Sequence, residues 1–320
     1  MRLRIWVGCN RGLAHGLVVA LALSLLGCAS APPVKGFEPS SQLPVDVELS
    51  HIAFYPQTQD QCGPAALATV LEHAGVVRTL QQLEADVYVP QRQGSLQLEM
   101  LGGARRAGVL PYLLQGELQA VWQEVAAGHP VVVLQNVRWD WWPVWHYAVV
   151  VGYDQVASTV TLRSGDEKRL VMPVADFAQS WALAQRWAFV ALPPDQLPVT
   201  ATADAFVQAA ITLERVAPIQ AAQAYQTALQ AWPDHLGARL ALANSHYRAH
   251  DLQTAQMHYE RATLDHPEAA DAWNNLAHVL YETHQRAHAR VAVGKAVAIG
   301  GERLDRYKAT QRMIDGSLSP

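Results

Sequence analysis

The chain has 320 residues, 50% of them hydrophobic and 16% charged, with a net charge of -4. That balance fits packed globular structure, and the length allows two domains. No basic stripe runs through it, which excludes a nucleic-acid footprint, and its three cysteines, Cys9, Cys28 and Cys62, are too few for a disulfide framework.

In chain order the first element is a leader. Arg2, Arg4 and Arg11 frame the start of an apolar run, Leu17 to Leu26, that falls short of the roughly 20 residues a membrane-spanning helix needs. The run ends at "LLGC", with Gly27, Ala29 and Ser30 around Cys28, and "APPVKGFEPSSQLP" follows as a polar tether. This resembles a bacterial lipobox. The resemblance implies that residues 1–27 are a signal peptide, that Cys28 carries lipid, and that 28–44 tether the rest to a membrane. Ala29 and Ser30 lack the aspartate that commonly retains such lipoproteins at the inner membrane, so the outer membrane, periplasmic side, is the expected location. An ordinary cleaved signal peptide and a retained anchor are the alternatives. With Cys9 in the leader and Cys28 lipidated, no second cysteine is left in the chain for an intramolecular disulfide with Cys62 in an oxidising compartment, which suggests a reactive thiol or intermolecular pairing.

From 45 to 192 helical stretches alternate with short β-branched runs, and an α+β domain is expected. "QCGPAALATVLEHAG" predicts a helix that Cys62 opens: Leu67, Val70, Leu71 and Ala74 form a stripe, Pro64 suits the first turn and Gly75 the end. At a helix N-terminus the partial positive charge favours thiolate over thiol. Gly63 leaves room beside the sulfur for a substrate backbone. Thr79 and Gln82 have the spacing of a capping box, and Leu118, Val121, Trp122 and Val125 recur with helical period before Gly128.

A thiolate nucleophile calls for a histidine base. Of the four histidines in this half, His73 sits near the far end of the Cys62 helix, roughly 16 Å away at 1.5 Å per residue. His51 lies close to the domain's start, and His129 precedes Pro130 in a turn. His146 opens the apolar strand "HYAVVVGYD" after Trp139, Trp141, Trp142 and Trp145. It is the candidate base, and the tryptophans either shape a groove or pack against the second half of the chain.

"PPDQLPVT" (193–200) is expected to be a linker, because its three prolines prevent regular pairing. Beyond it the sequence repeats every 34 residues: Ala221, Ala255 and Ala289 coincide, as do Ala228, Ala262 and Ala296, Tyr225 and Tyr259, Pro233 and Pro267. A 34-residue period with small residues at helix crossings is the tetratricopeptide (TPR) pattern. It predicts an all-α superhelix over 201–315, with a capping helix from about Arg303, whose surface binds peptides or proteins. His284 and His288 have i, i+4 spacing, but no carboxylate or cysteine completes a metal site, and nothing calls for a cofactor.

The motifs "QTQDQCGPAALATVL", "GSLQLEMLGGARRAG", "HPVVVL" and "HYAVVVGYD" resemble, in order and spacing, the papain-like cysteine peptidases that remove double-glycine leader peptides from bacteriocins. The resemblance spans about 45–192. It implies Cys62 as nucleophile, His146 as base and a glutamine as oxyanion donor. The family places that glutamine six residues before the cysteine, where this chain has Pro56; Gln57 is the expected substitute, with Gln59 and Gln61 nearby. The family's third residue is an aspartate on the following strand, where this chain reads "TLRSGDEKR". A hairpin centred near Val156 sets Asp166 opposite His146, and a one-residue shift sets Ser164 there instead. A membrane-anchored cysteine peptidase acting on a peptide or exported protein is therefore expected. A non-catalytic scaffold that binds peptides or proteins is the alternative.

Overall fold

The computed structural model describes residues 42–56, 61–138 and 141–316. The leader with Cys28, as well as Gln57, Gln59 and Trp139, lies outside them. Cys62 opens helix α1 (Cys62–His73), which ends at Gly75 in the left-handed region, φ 81°. The stripe expected of this helix is wider than its sequence implies: every residue from Cys62 to Leu71 is buried. The cause is its place between two layers. One side packs on strands β5 (Val131–Asn136), β6 (Trp145–Asp154) and β9 (Ala188–Leu192), the other on α2 (Leu80–Val87) and α3 (Gln97–Arg106). A helix apolar all round is one buried all round. Helix α2 starts with the capping box read from sequence: Gln82 N donates to Thr79 Oγ1 at 3.2 Å and Thr79 N to Gln82 Oε1 at 3.0 Å.

Among the described residues the main sheet has seven strands, all antiparallel. Their order is β4 (Leu110–Leu113), β9, β5, β6, β7 (Thr159–Ser164) and β8 (Glu167–Pro173), with β1 (Asp46–Glu48) added to the far end of β6. A two-residue pair, β2 (Tyr88–Val89) and β3 (Gly94–Ser95), precedes α3. Helices α4 (Leu118–Ala126) and α5 (Val174–Leu183) also pack on the sheet, with Trp122 stacked on Tyr153 at 5.0 Å and on Phe177 at 6.4 Å. Strand β5 is buried along its whole length, as expected where both faces of a sheet are covered.

The second half is helical. Three antiparallel pairs follow one another: α6 (Ala203–Ile211) with α7 (Pro218–Ala231), α8 (Leu236–Arg248) with α9 (Leu252–Asp265), and α10 (Ala270–Glu282) with α11 (Arg286–Ile299); α12 (Leu304–Gly316) closes the stack. The alanines of the 34-residue period, Ala221, Ala255, Ala289, Ala228, Ala262 and Ala296, are all buried. Small side chains there let neighbouring helices approach closely, which is why the period is legible.

The halves share one core. Phe206, Val207, Tyr225 and Leu242 belong to the same hydrophobic cluster as the sheet residues, and α6 packs on β4. The 193–200 stretch has no regular structure but is tied down at both ends. Thr200 donates through N (2.8 Å) and Oγ1 (2.6 Å) to Glu124 Oε1, and Pro194 O accepts from Thr227 Oγ1 at 2.9 Å. Glu124 is fully buried and its other oxygen meets His129 Nδ1 at 2.7 Å.

Candidate functional site

Strand β6 carries the centre of the site. His146 is its second residue, and α1, which Cys62 begins, packs on this strand. Cys62 is buried, and burial together with the charge of Cys62 pushes the phenol of Tyr147, next to His146, well above its ordinary pKa. Tyr147 Oη donates to Ser95 O at 3.2 Å, and Ser95 is wedged against Gly63. A Cβ on Gly63 would lie 2.2 Å from Ser95 Oγ, so only glycine fits behind the cysteine at this close approach. Ser95 Oγ itself is buried with no hydrogen-bond partner among the described residues.

The imidazole of His146 is half-buried, and its Nε2 lies 2.9 Å from Ser164 Oγ. Burial holds its pKa below the usual histidine range, so the ring is neutral near pH 7. The tautomer that donates Nε2–H to the hydroxyl leaves Nδ1 as the acceptor nitrogen of the ring. Gln135 lies directly across from His146 in the sheet and donates to Ser180 Oγ at 2.7 Å. His146 therefore stands in a polar row between Gln135 and Ser164 in an otherwise apolar sheet.

Asp166, expected opposite His146, stands exposed in the β7–β8 turn instead. The register explains it. Val149 pairs with Arg163 and Val150 with Leu162, which extrapolates to Asp166 opposite His146. The strand stops first: Gly165, at φ 60°, reverses the chain, and Ser164 pairs with Glu167. Ser164, diagonal to His146 on the same face, becomes its partner. No gap in the sequence marks that early stop apart from the glycine itself. Gln57 and Cys28 are outside the described residues.

Two positioning residues escaped sequence reasoning. Arg163, buried within β7, donates to the carbonyls of Leu49 and Ile52 at 3.4 Å and of Lys168 at 2.6 Å, which fastens the segment leading toward Cys62 onto the strand that carries Ser164. Asn136 Oδ1 accepts from Arg138 N and Val144 N, each at 3.0 Å, and so pins both ends of the tryptophan loop. The signal for each was a polar residue at the end of an apolar run. Trp141, Trp142 and Trp145 are exposed by 74%, 63% and 52%, so they do not pack against the helical half.

The model of the Peptidase_C39 like family matches residues 49–189, and the sheet domain is C39-like. No curated protein matches the chain. Among solved structures, a C39-like peptidase from Bacillus anthracis is 20% identical over 46% of this chain and 97% of its own, with a TM-score of 0.41. The peptidase domain of Streptococcus ComA, a bifunctional ABC transporter, is 21% identical over 45% and 99%, TM-score 0.37. The first TPR of Spaghetti (RPAP3), bound to an HSP90 peptide, is 12% identical over 37% and 94%, TM-score 0.34. The match over 49–189 and the antiparallel sheet behind a cysteine-led helix define a C39-like peptidase fold, joined to a TPR-type helical stack.

Proposed function

We propose that this chain is a cysteine peptidase of the cell envelope, anchored through lipid on Cys28, with the helical repeats recruiting a peptide or protein. Cys62 Sγ attacks the carbonyl carbon of a peptide bond while His146 Nδ1 takes the thiol proton. The tetrahedral oxyanion is held by the Cys62 backbone N–H and by Gln57. On collapse the C–N bond breaks, His146 returns the proton to the departing amine, and a thioester remains. Water, deprotonated by His146, then hydrolyses the thioester and regenerates the thiol. The observation that carries this reading is the His146 Nε2 to Ser164 Oγ hydrogen bond of 2.9 Å on the strand that packs against the cysteine's helix. It holds the imidazole's orientation through Nε2, and in the tautomer that donates Nε2–H to the hydroxyl Nδ1 is the base.

A second reading has one observation in its favour: the partner of His146 Nε2 is a hydroxyl. A carboxylate stabilises imidazolium as it forms, and a serine does so weakly. Under that reading the sheet domain binds peptides without cutting them. Terminal-amine labelling of an envelope-protein extract incubated with the wild type and with Cys62→Ala separates the two. New N-termini that depend on Cys62 are expected of the peptidase; identical N-termini with both proteins would make it a scaffold.

A further inference from the structure

The end of the sheet that carries His146 bears an aromatic loop to which the proposed chemistry gives no role. This loop joins β5 to β6, and its stem is closed from both sides: Val137 N donates to Val144 O at 3.0 Å, and Asn136 Oδ1 holds Arg138 N and Val144 N. Beyond the stem stand Trp141 and Trp142, largely exposed, their rings edge to face at 6.4 Å, and the exposed Trp145 sits at the loop's foot. Val137 and Pro143 are exposed beside them. Three indoles on so short a loop form an apolar surface of the kind that marks a contact with a partner or a membrane.

Two features favour a lipid surface. The first is the side chain itself, since indole joins an apolar body to one N–H donor, a combination that settles at the headgroup level of a bilayer. The loop's sequence, 137–145, holds one arginine and one aspartate, so it brings no net charge for a charged protein face to match. The second feature is reach. The chain enters the fold at β1, where Asp46 pairs with Asp154, at the end of β6 opposite Trp145. The 10 residues of β6 span about 33 Å at roughly 3.3 Å per residue. Cys28 lies 18 residues before Asp46, and that many residues extend to about 60 Å. Lipid on Cys28 therefore does not force the β1 end against the membrane, because the tether is long enough for the tryptophan end to turn toward it.

We propose that Trp141, Trp142 and Trp145 dock on a bilayer surface with their indoles at the headgroup level, as a membrane contact separate from lipid on Cys28. The contact is apolar in origin and turns the His146 end of the sheet toward the bilayer, so that on the peptidase reading polypeptides at the membrane surface are the ones presented to the site. The reach argument rests on the Cys28 anchor. Docking by the loop does not, and the test leaves that lipid out, so the two can fail separately.

The test is flotation of the chain from residue 28 onward, carrying Cys28→Ala, with phosphatidylcholine vesicles, together with quenching of its tryptophan fluorescence by bromine-labelled acyl chains. Every described element lies within 42–316, so this chain keeps the fold. The expected result is flotation with quenching, little changed by about 0.5 M salt and weakened roughly tenfold or more by Trp141→Ala combined with Trp142→Ala. Because both side chains are exposed, the double substitution leaves packing intact, which a melting curve verifies, and quenching of the unsubstituted loop needs no variant. No flotation, flotation equal with and without the double substitution, or binding that requires anionic lipid and vanishes in salt would overturn the proposal. So would a dimer that sedimentation detects without vesicles and the double substitution dissociates, in a chain that does not float; that outcome assigns the loop to a second copy of the chain.

Discussion

Gly63→Ala tests how tightly the ground behind Cys62 is built. The added methyl would lie 2.2 Å from Ser95 Oγ, 2.5 Å from Ser95 Cβ and 3.2 Å from Met100 Sδ. Two of these distances are shorter than any real contact, and the obstructing atoms belong to a short side chain. Ser95 cannot simply step aside, because its carbonyl accepts from Tyr147 Oη and its backbone pairs with Tyr88. Overpacking of this kind costs about 1–3 kcal/mol, and the better helix propensity of alanine returns up to about 1 kcal/mol. A net loss of roughly 1–2 kcal/mol is expected in urea unfolding. Ser95→Gly removes both clashing atoms, so in that background Gly63→Ala should cost far less, a coupling of about 1 kcal/mol or more. Equal stability of Gly63→Ala and the wild type, or strictly additive effects of the two substitutions, would refute the close-approach account.

The remaining predictions concern charge and burial. Ser164→Asp places a carboxylate against His146 Nε2, and an NMR titration of the imidazole should show its pKa raised by roughly 1–3 units; an unchanged or lower value would mean the side chains do not meet. Glu124→Ala leaves the N–H and hydroxyl of Thr200 without their acceptor at the junction of the two halves, at about 1–3 kcal/mol for each buried group left unpaired. An unaltered urea midpoint would show that the junction does not depend on that carboxylate. His73, His146, His258 and His278 are all held below the ordinary histidine pKa, with burial the largest cause in each. Unfolded histidines protonate near 6.5, so the unfolded chain takes up protons first. Stability is unaffected well above that pH and falls as pH drops through about 6.5 toward the lower folded values. Melting temperatures from pH 7.5 to 5 should decline; a flat or rising profile would contradict the shared burial of these rings.

What was legible in the sequence was local or periodic. The Thr79–Gln82 capping box and the left-handed Gly75 close over a few residues, and the 34-residue recurrence of alanine marks helix crossings whatever lies around them. The fate of Asp166 turned on where a strand ends. The register was readable from the hairpin, but Gly165 reverses the chain before that register reaches His146, and Ser164 takes the place. Arg163 and Glu124 were not legible because their partners are remote: Arg163 bonds Ile52, 111 residues away, and Glu124 bonds Thr200, 76 away. A polar residue inside an apolar run gives notice of such a bond without naming its partner. The breadth of burial around α1 was hidden for a related reason, since a helix covered by layers on both sides has no polar face for a pattern to show.

The most direct test of the central claim is the pH dependence of Cys62 alkylation by iodoacetamide, compared between the wild type and His146→Ala. The account predicts an apparent thiol pKa below the free-cysteine value of about 8.5, moving up toward it when His146 is removed. A Cys62 that is unreactive, or that titrates as an ordinary thiol with or without His146, would contradict it.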